Sequence, residues 1–208
     1  TRGREVAASM GHWRKQQHLD RYFKKAKQDG YRARSAYKLT QMQEKFRIIR
    51  RGDVVVDLGA APGSWSQVAA KLVGSDGRVV ALDLQPIDPI SGVNLVQGDM
   101  LDAEVRARVA AMVDGRADVV LSDAAPETTG IKLRDHVRSI ELARTAFEFA
   151  QDLLGDGGSM VLKIFEGEDF PDLLRDVKRA FRRAQGHKPS ASRDESWEIF
   201  IVARGYRG

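Results

Sequence analysis

The stretch Val54-Val55-Val56-Asp57-Leu58-Gly59-Ala60-Ala61-Pro62-Gly63-Ser64-Trp65 decides the fold. Three β-branched residues run into an acid and then a glycine-rich turn, which is how a buried parallel strand delivers a ligand-binding loop to the next helix. Gly59 and Gly63 let the backbone turn tightly and approach a ligand where a Cβ would obstruct it. A dinucleotide-binding turn would read Gly-x-Gly-x-x-Gly, whereas this one reads Gly59-Ala60-Ala61-Pro62-Gly63, with Pro62 stiffening a loop that need not wrap a pyrophosphate. The implied ligand is a nucleoside without a diphosphate.

Outward from this turn, short apolar runs alternate with helical patterns, the signature of a doubly wound α/β domain. Strands are predicted near 54–58, 78–83, 93–97, 117–123, 158–165 and 197–203, and helices near 64–73, 102–113, 134–154 and 169–185. Upstream, 12–28 and 34–46 read as helices separated by Gly30; His187 to Asp194 is the turn-rich entry to the last strand, and residues 186–188 read as a short partner strand.

With 208 residues and 42% hydrophobic content, the chain fits one domain, organised as a basic helical arm over 1–50 and an α/β body over 51–208. There is no cysteine, which excludes disulfides, thiolate metal sites and mechanisms that need a cysteine nucleophile. No apolar run approaches a membrane span and the N-terminus is basic and polar, so a cytoplasmic protein with no membrane partner is expected. Of the net charge of +5, residues 1–38 carry +8 and the remainder −3. Trp13, Tyr22, Phe23, Tyr31 and Tyr37 interleave with the arm's charges, a composition suited to phosphate neutralisation and base stacking on RNA; the plainer alternative is a solvated helix face.

Ligands in open α/β sheets lie beyond the carboxyl ends of the strands, so the acids that end strands are the candidates. Asp57 ends the first strand, and Asp83 ends the second at a spacing that suits a ribose diol acceptor. Asp99 follows the third strand, where it could accept from an adenine amine, and Trp65 could line the same pocket. Each acid taken singly is also a plausible helix cap or turn residue. Asp123 ends ADVVLSD, and Lys163 lies in the apolar run SMVLKIF of a neighbouring strand. A lysine there is costly to bury unless an acid such as Asp123 is close.

At these residues the chain resembles the S-adenosylmethionine-dependent methyltransferases, and DLGAAPGSW resembles the FtsJ family of RNA ribose 2′-O-methyltransferases in particular. The likeness extends through RSAYKL, SDAAP, VLKIFEGE and WEIFIVARG in the family's order. It implies a Rossmann-like methyltransferase fold, with a mostly parallel seven-stranded sheet, an antiparallel last strand and helices on both faces. It implies S-adenosylmethionine as cofactor, with Gly63, Trp65, Asp83, Asp99 and Asp123 at its pocket beside Gly59 of the glycine turn; no metal is expected. An antiparallel last strand would bring Glu198, at its start, to the rim that holds Asp123 and Lys163. The family position of Lys38 completes a Lys-Asp-Lys-Glu catalytic tetrad, and within it we expect Lys163 to receive the proton. Taken without the likeness, Lys38 is equally a phosphate contact, and Glu198 an edge-strand charge.

The implied substrate is a uridine ribose of large-subunit ribosomal RNA, met as RNA or as the large ribosomal subunit by a monomeric enzyme. Alternatives are a tRNA anticodon loop as substrate, or an assembly factor that binds cofactor and RNA without turnover. Ser64 and Glu127 depart from the glycine and asparagine of bacterial members, and neither belongs to the tetrad.

Overall fold

Val54-Val55-Val56 opens an inner strand of the sheet, because a run of branched apolar residues satisfies a position with neighbours on both edges and both faces. In the computed structural model, which describes residues 21–193 and 195–208, this strand is β1 (Val54–Leu58). It pairs in parallel with β2 (Arg78–Asp83) on one side and β4 (Ala117–Ser122) on the other, Val55 lying opposite both Val79 and Val119. With β3 (Val93–Gln97), β5 (Leu154–Phe165), β6 (Phe181–His187) and β7 (Glu198–Tyr206), the seven-stranded sheet has the order β3-β2-β1-β4-β5-β7-β6. β7 is antiparallel to both its neighbours and every other pairing is parallel.

Strand alternation sorts the core onto two faces. Val56, Leu58, Leu82, Met160, Leu162 and Ile164 pack against α4 (Ala103–Met112), α5 (Lys132–Leu153) and α6 (Phe170–Ala180). Val55, Val79, Leu121, Val161, Phe200 and Val202 pack against α2 (Ala36–Phe46) and α3 (Ser64–Val73). Lys163 is two residues beyond Val161 and opposite Phe200, so it belongs to the face covered by α2. The period of the strand therefore aims it toward the segment that carries Lys38.

A further helix, α1, is helical over residues 21–28 and is held on α2 by aromatic packing: Tyr22 and Tyr31 lie 5.4 and 5.8 Å from the Tyr37 ring. The earlier part of the helix expected over 12–28, with Trp13, lies outside the described residues.

The largest departures from the sequence expectation are at the end of α6 and the start of β5, and β7 also runs to Tyr206 instead of residue 203. The helix expected to reach residue 185 stops at Ala180, and the partner strand runs over Phe181–His187 instead of three residues. Leu173, Val177 and Phe181 recur at four-residue spacing and all are buried, which reads as one helical stripe. Phe181 instead starts β6 opposite Tyr206, burying its ring from the sheet side. β5 begins at Leu154, not 158, because Gly155, Gly157 and Gly158 are carried inside the strand beside a register shift in its pairing with β4. Among the described residues, no helix is long and apolar enough to cross a membrane.

Candidate active site

The carboxyl ends of the parallel strands surround a cleft of about 940 Å³, and Gly59, Asp83, Asp99, Asp123 and Lys163 all line it. The turn after β1 forms its floor. Gly59 has φ of +69°, and a Cβ there would lie 2.4 Å from the Cβ of Ala124, so the residue is glycine to admit the neighbouring β4 turn. Gly63, at φ +103°, would place a Cβ 2.5 Å from Ile90 Cδ1. Both glycines thus make room for the protein's own loops, whereas the sequence had suggested room for a ligand.

Asp83 and Asp99 stand where strand-end acids should, and each also shapes the backbone. Asp83 accepts from the Ala61 and Gln85 amides, both at 2.8 Å, tying the floor turn to the end of β2. Asp99 accepts from the Leu101 amide at 2.9 Å through Oδ1. A carboxylate has about four lone-pair directions, so these turn roles leave both acids able to accept from a ligand. Leu82, Leu84, Met100 and Leu101 give the same cleft an apolar wall. Leu84 and Leu101 are 62% and 69% exposed, so this wall is an open apolar surface beside the two acids.

Trp65 is not on that wall. It is 2% exposed, packs 5.8 Å from the Phe200 ring, and donates its indole N–H to the Ser35 carbonyl at 2.9 Å. Its position as the second residue of α3 turns it into the core. Asp57 is likewise not a cleft residue: fully buried within β1, it accepts from the Ser66 hydroxyl at 2.6 Å. Burial pushes its carboxyl up to about 7 against the Ser66 bond, and the charges of Asp123 and Asp83 add to the rise.

Two ion pairs occupy the inner end of the cleft region. Lys163 Nζ lies 3.1 Å from Asp123 Oδ1 and also donates to the Asp123 carbonyl. Lys38 Nζ lies 2.6 Å from Glu198 Oε1 and 5.8 Å from the centre of the Phe200 ring. The four side chains are between 10% and 17% exposed. Burial would raise the Glu198 carboxyl, but Lys38 first, then the nearby Ser192 hydroxyl and the charge of Lys163, hold it below the ordinary carboxylate value. Glu198 therefore feels both lysines. Their meeting follows from β7 running antiparallel: Glu198 lies opposite Phe165, two residues beyond Lys163 on the same face.

Sequence reasoning missed Ser35 and Arg32. Ser35 lines the cleft and shares a 2.7 Å hydroxyl contact with Ser64, while Arg32 reaches the floor turn from outside. Ser35 lies within the RSAYKL stretch, but only the fold brings its hydroxyl to the cleft, and no motif marks Arg32. Of the aromatic residues expected to stack on RNA, Tyr37 is buried, and Tyr22 and Tyr31 are half-buried against it, which leaves Phe23, 64% exposed, as the open ring among those described.

A family model for FtsJ-like methyltransferases matches residues 31–206. The ribosomal RNA large subunit methyltransferase E of Natronomonas pharaonis is 54% identical over 186 residues, covering 89% of this chain and 73% of that protein. The protein of the same name from Marinobacter nauticus is 46% identical over 200 residues, covering 96% and 97% of the two chains. A Plasmodium falciparum crystal structure designated a ribosomal RNA methyltransferase superposes with a TM-score of 0.76 at 28% identity, over 86% of this chain and all of that one. The family match begins at the segment that leads to Lys38 and ends with β7, so it spans every element that builds the cleft, and the chain belongs to the FtsJ-like methyltransferase family.

Proposed function

We propose that this protein transfers a methyl group from S-adenosylmethionine to a ribose 2′-hydroxyl of large-subunit ribosomal RNA, a uridine being the target, and works in the cytoplasm as a monomer. The observation that carries the reading is the pairing of Lys163 with Asp123 and of Lys38 with Glu198 beside a cleft whose other end presents Asp83 and Asp99. The names of the relatives support the ribosomal substrate.

When bound, S-adenosylmethionine supplies a methyl group already activated by its sulfonium. The cleft suits it: Asp83 would hold the ribose diol, Asp99 the adenine amine, and Leu84, Met100 and Leu101 the base faces. The protein must then place and unmask a weak nucleophile. Lys163 donates to the Asp123 carbonyl and lies within ion-pair distance of its carboxylate, so Asp123 holds the amine from one side. In its neutral form the amine keeps a lone pair, and the proton of the 2′-hydroxyl passes to it. Asp123 orients the amine and stabilises the ammonium that results. Lys38, held by Glu198, offers a cation to the oxygen as its negative charge develops.

The turn Ser122-Asp123-Ala124-Ala125-Pro126 carries no aromatic ring on which a flipped base could stack, which favours a ribose over a base nitrogen as acceptor. A 2′-hydroxyl is also the group that marks RNA. The test is methyl transfer from labelled S-adenosylmethionine to isolated large ribosomal subunits and to bulk tRNA, followed by nucleoside analysis. A labelled 2′-O-methyluridine from the large subunit is expected. Label confined to tRNA would move the substrate to the anticodon loop, and cofactor binding without transfer to either would favour an assembly factor.

A further inference from the structure

Arg32 lies six residues before Lys38, outside the cleft, and its guanidinium spans two loops. Nη1 donates to the carbonyls of Pro62, at 3.0 Å, and Asp88, at 2.8 Å, and Nη2 donates to the Pro89 carbonyl at 2.9 Å. Pro62 belongs to the floor turn. Asp88 and Pro89 belong to the loop after β2, whose first residues, Leu84 and Gln85, line the cleft. That loop is closely seated on the turn, since a Cβ on Gly63 would meet Ile90 Cδ1, Arg32 Nη1 and Ile87 Cγ2 at 2.5, 3.2 and 3.3 Å.

We infer that Arg32 is a positioning residue for the cofactor pocket: its planar fork clamps the loop after β2 onto the Gly59–Gly63 turn and so fixes the spacing between the floor and the rim. Three carbonyls from two loops are matched by one rigid guanidinium, whereas a lysine carries its donors on a single nitrogen and cannot span the same three acceptors. Both hydrogens of Nη1 are already directed at carbonyls, which leaves that nitrogen nothing to offer an RNA phosphate. The clamp is separate from the hold on Lys38. The backbone around Tyr31 is gripped independently by Gln67, which accepts from the Arg32 amide at 2.9 Å and donates to the Gly30 carbonyl at 3.0 Å. Trp65 grips Ser35. Losing the guanidinium therefore opens the pocket without releasing the catalytic lysine, and the effect falls on cofactor binding, not on the chemical step.

This inference rests on the cleft being the S-adenosylmethionine site. The experiment compares wild type, Arg32→Ala and Arg32→Lys by calorimetric titration with S-adenosylmethionine, by RNA binding without cofactor, by hydrogen exchange over residues 84–92, and by kcat and KM. Both variants are expected to bind S-adenosylmethionine about 10-fold more weakly, the scale of lost charged hydrogen bonds. KM for the cofactor should rise in step, and kcat at saturation should stay within about 3-fold of wild type. Exchange over 84–92 should accelerate in both, and Arg32→Lys should bind RNA as wild type does. Recovery of cofactor affinity in Arg32→Lys would overturn the clamp, because a charge alone would then suffice. So would unchanged cofactor affinity with weakened RNA binding, which would make Arg32 a phosphate contact. If Arg32→Ala does not fold, the same criteria apply to Arg32→Lys. A wild type that binds no S-adenosylmethionine would overturn the functional reading itself, and the inference with it.

Discussion

Lys163 and Asp57 are both charged groups in apolar strands, yet only one of them reaches the cleft, and register decides which. Lys163 stands near the carboxyl end of β5 with its Nζ on Asp123, so replacing it by alanine removes the proposed proton acceptor while the acids that would hold the cofactor stay in place. Turnover should fall by about 10²- to 10⁴-fold, the usual contribution of a positioned base, with cofactor affinity within a few-fold. Single-turnover methyl transfer beside a binding titration separates the two, and near-normal transfer would sink the assignment. Asp57 lies one residue before the end of β1 and is wholly enclosed, with its carboxyl raised to about 7 from an ordinary 3.8, chiefly by burial. The sign of its effect on folding follows. Below about 4 it is protonated folded or unfolded and costs nothing; between about 4 and 7 the unfolded chain releases its proton and the folded chain keeps it, so stability falls as pH rises. Asp57→Asn should therefore lose less stability than wild type between pH 5 and pH 8 in urea unfolding. Equal losses would mean that the buried carboxyl is not what the pH change reads. The sequence marked Asp57, Asp83, Asp99 and Asp123 alike as strand-end acids; the last three line the cleft, while Asp57, one residue short of the end of β1, is enclosed in the core, and no residue pattern encodes the difference.

Elements were legible where their boundary has a chemical cause. The turn at Gly59–Gly63 stops β1 and starts α3 within the sequence itself, and β1, β2, β3 and α3 have the bounds that the pattern predicts. The end of α6 had no such mark, since Phe181 continues the helical stripe and neither glycine nor proline follows Ala180; long-range pairing with β7 decides it. Trp65 was misread for a related reason. A tryptophan after a ligand-binding turn suits a pocket wall, but the first turn of α3 rotates it onto Phe200. The floor turn also yields a prediction. Gly59→Ala forces an L residue into a left-handed conformation, costing about 1–2 kcal/mol, and drives its Cβ into Ala124. The melting temperature and S-adenosylmethionine affinity should both fall. Adding Ala124→Gly should recover part of the loss by removing the overlap, while the backbone strain remains. If the second change recovers nothing, the contact with Ala124 is not what requires glycine.

At the scale of the whole molecule, charge and chemistry are segregated. Residues 1–38 hold a net +8 while the remaining chain holds −3, so an RNA met by this protein is drawn to the segment that leads into Lys38 and repelled on balance by the rest. The described part of that segment, from residue 21 on, is not an appendage. α1 packs through Tyr22 onto Tyr37 of α2, and α2 delivers Lys38 to Glu198, so the surface that would attract phosphate and the lysine that would face the ribose share one rigid stack. Arg21, Lys24 and Lys27 are exposed on α1, and none of them lines the cleft. If they neutralise phosphates, each releases about 0.7–0.9 of a counterion, so replacing all three with glutamine should lower the slope of log affinity against log salt by about 2 to 3. RNA affinity should drop most at low salt and least at high salt, where screening has already weakened the contacts. S-adenosylmethionine binding should not change. Fluorescence anisotropy of a ribosomal RNA fragment, measured across a salt series for wild type and the triple variant, gives both slopes. An unchanged slope with unchanged affinity would place the RNA on another face and would leave the basic segment as an ordinary solvated helix that serves only to carry Lys38 into the site.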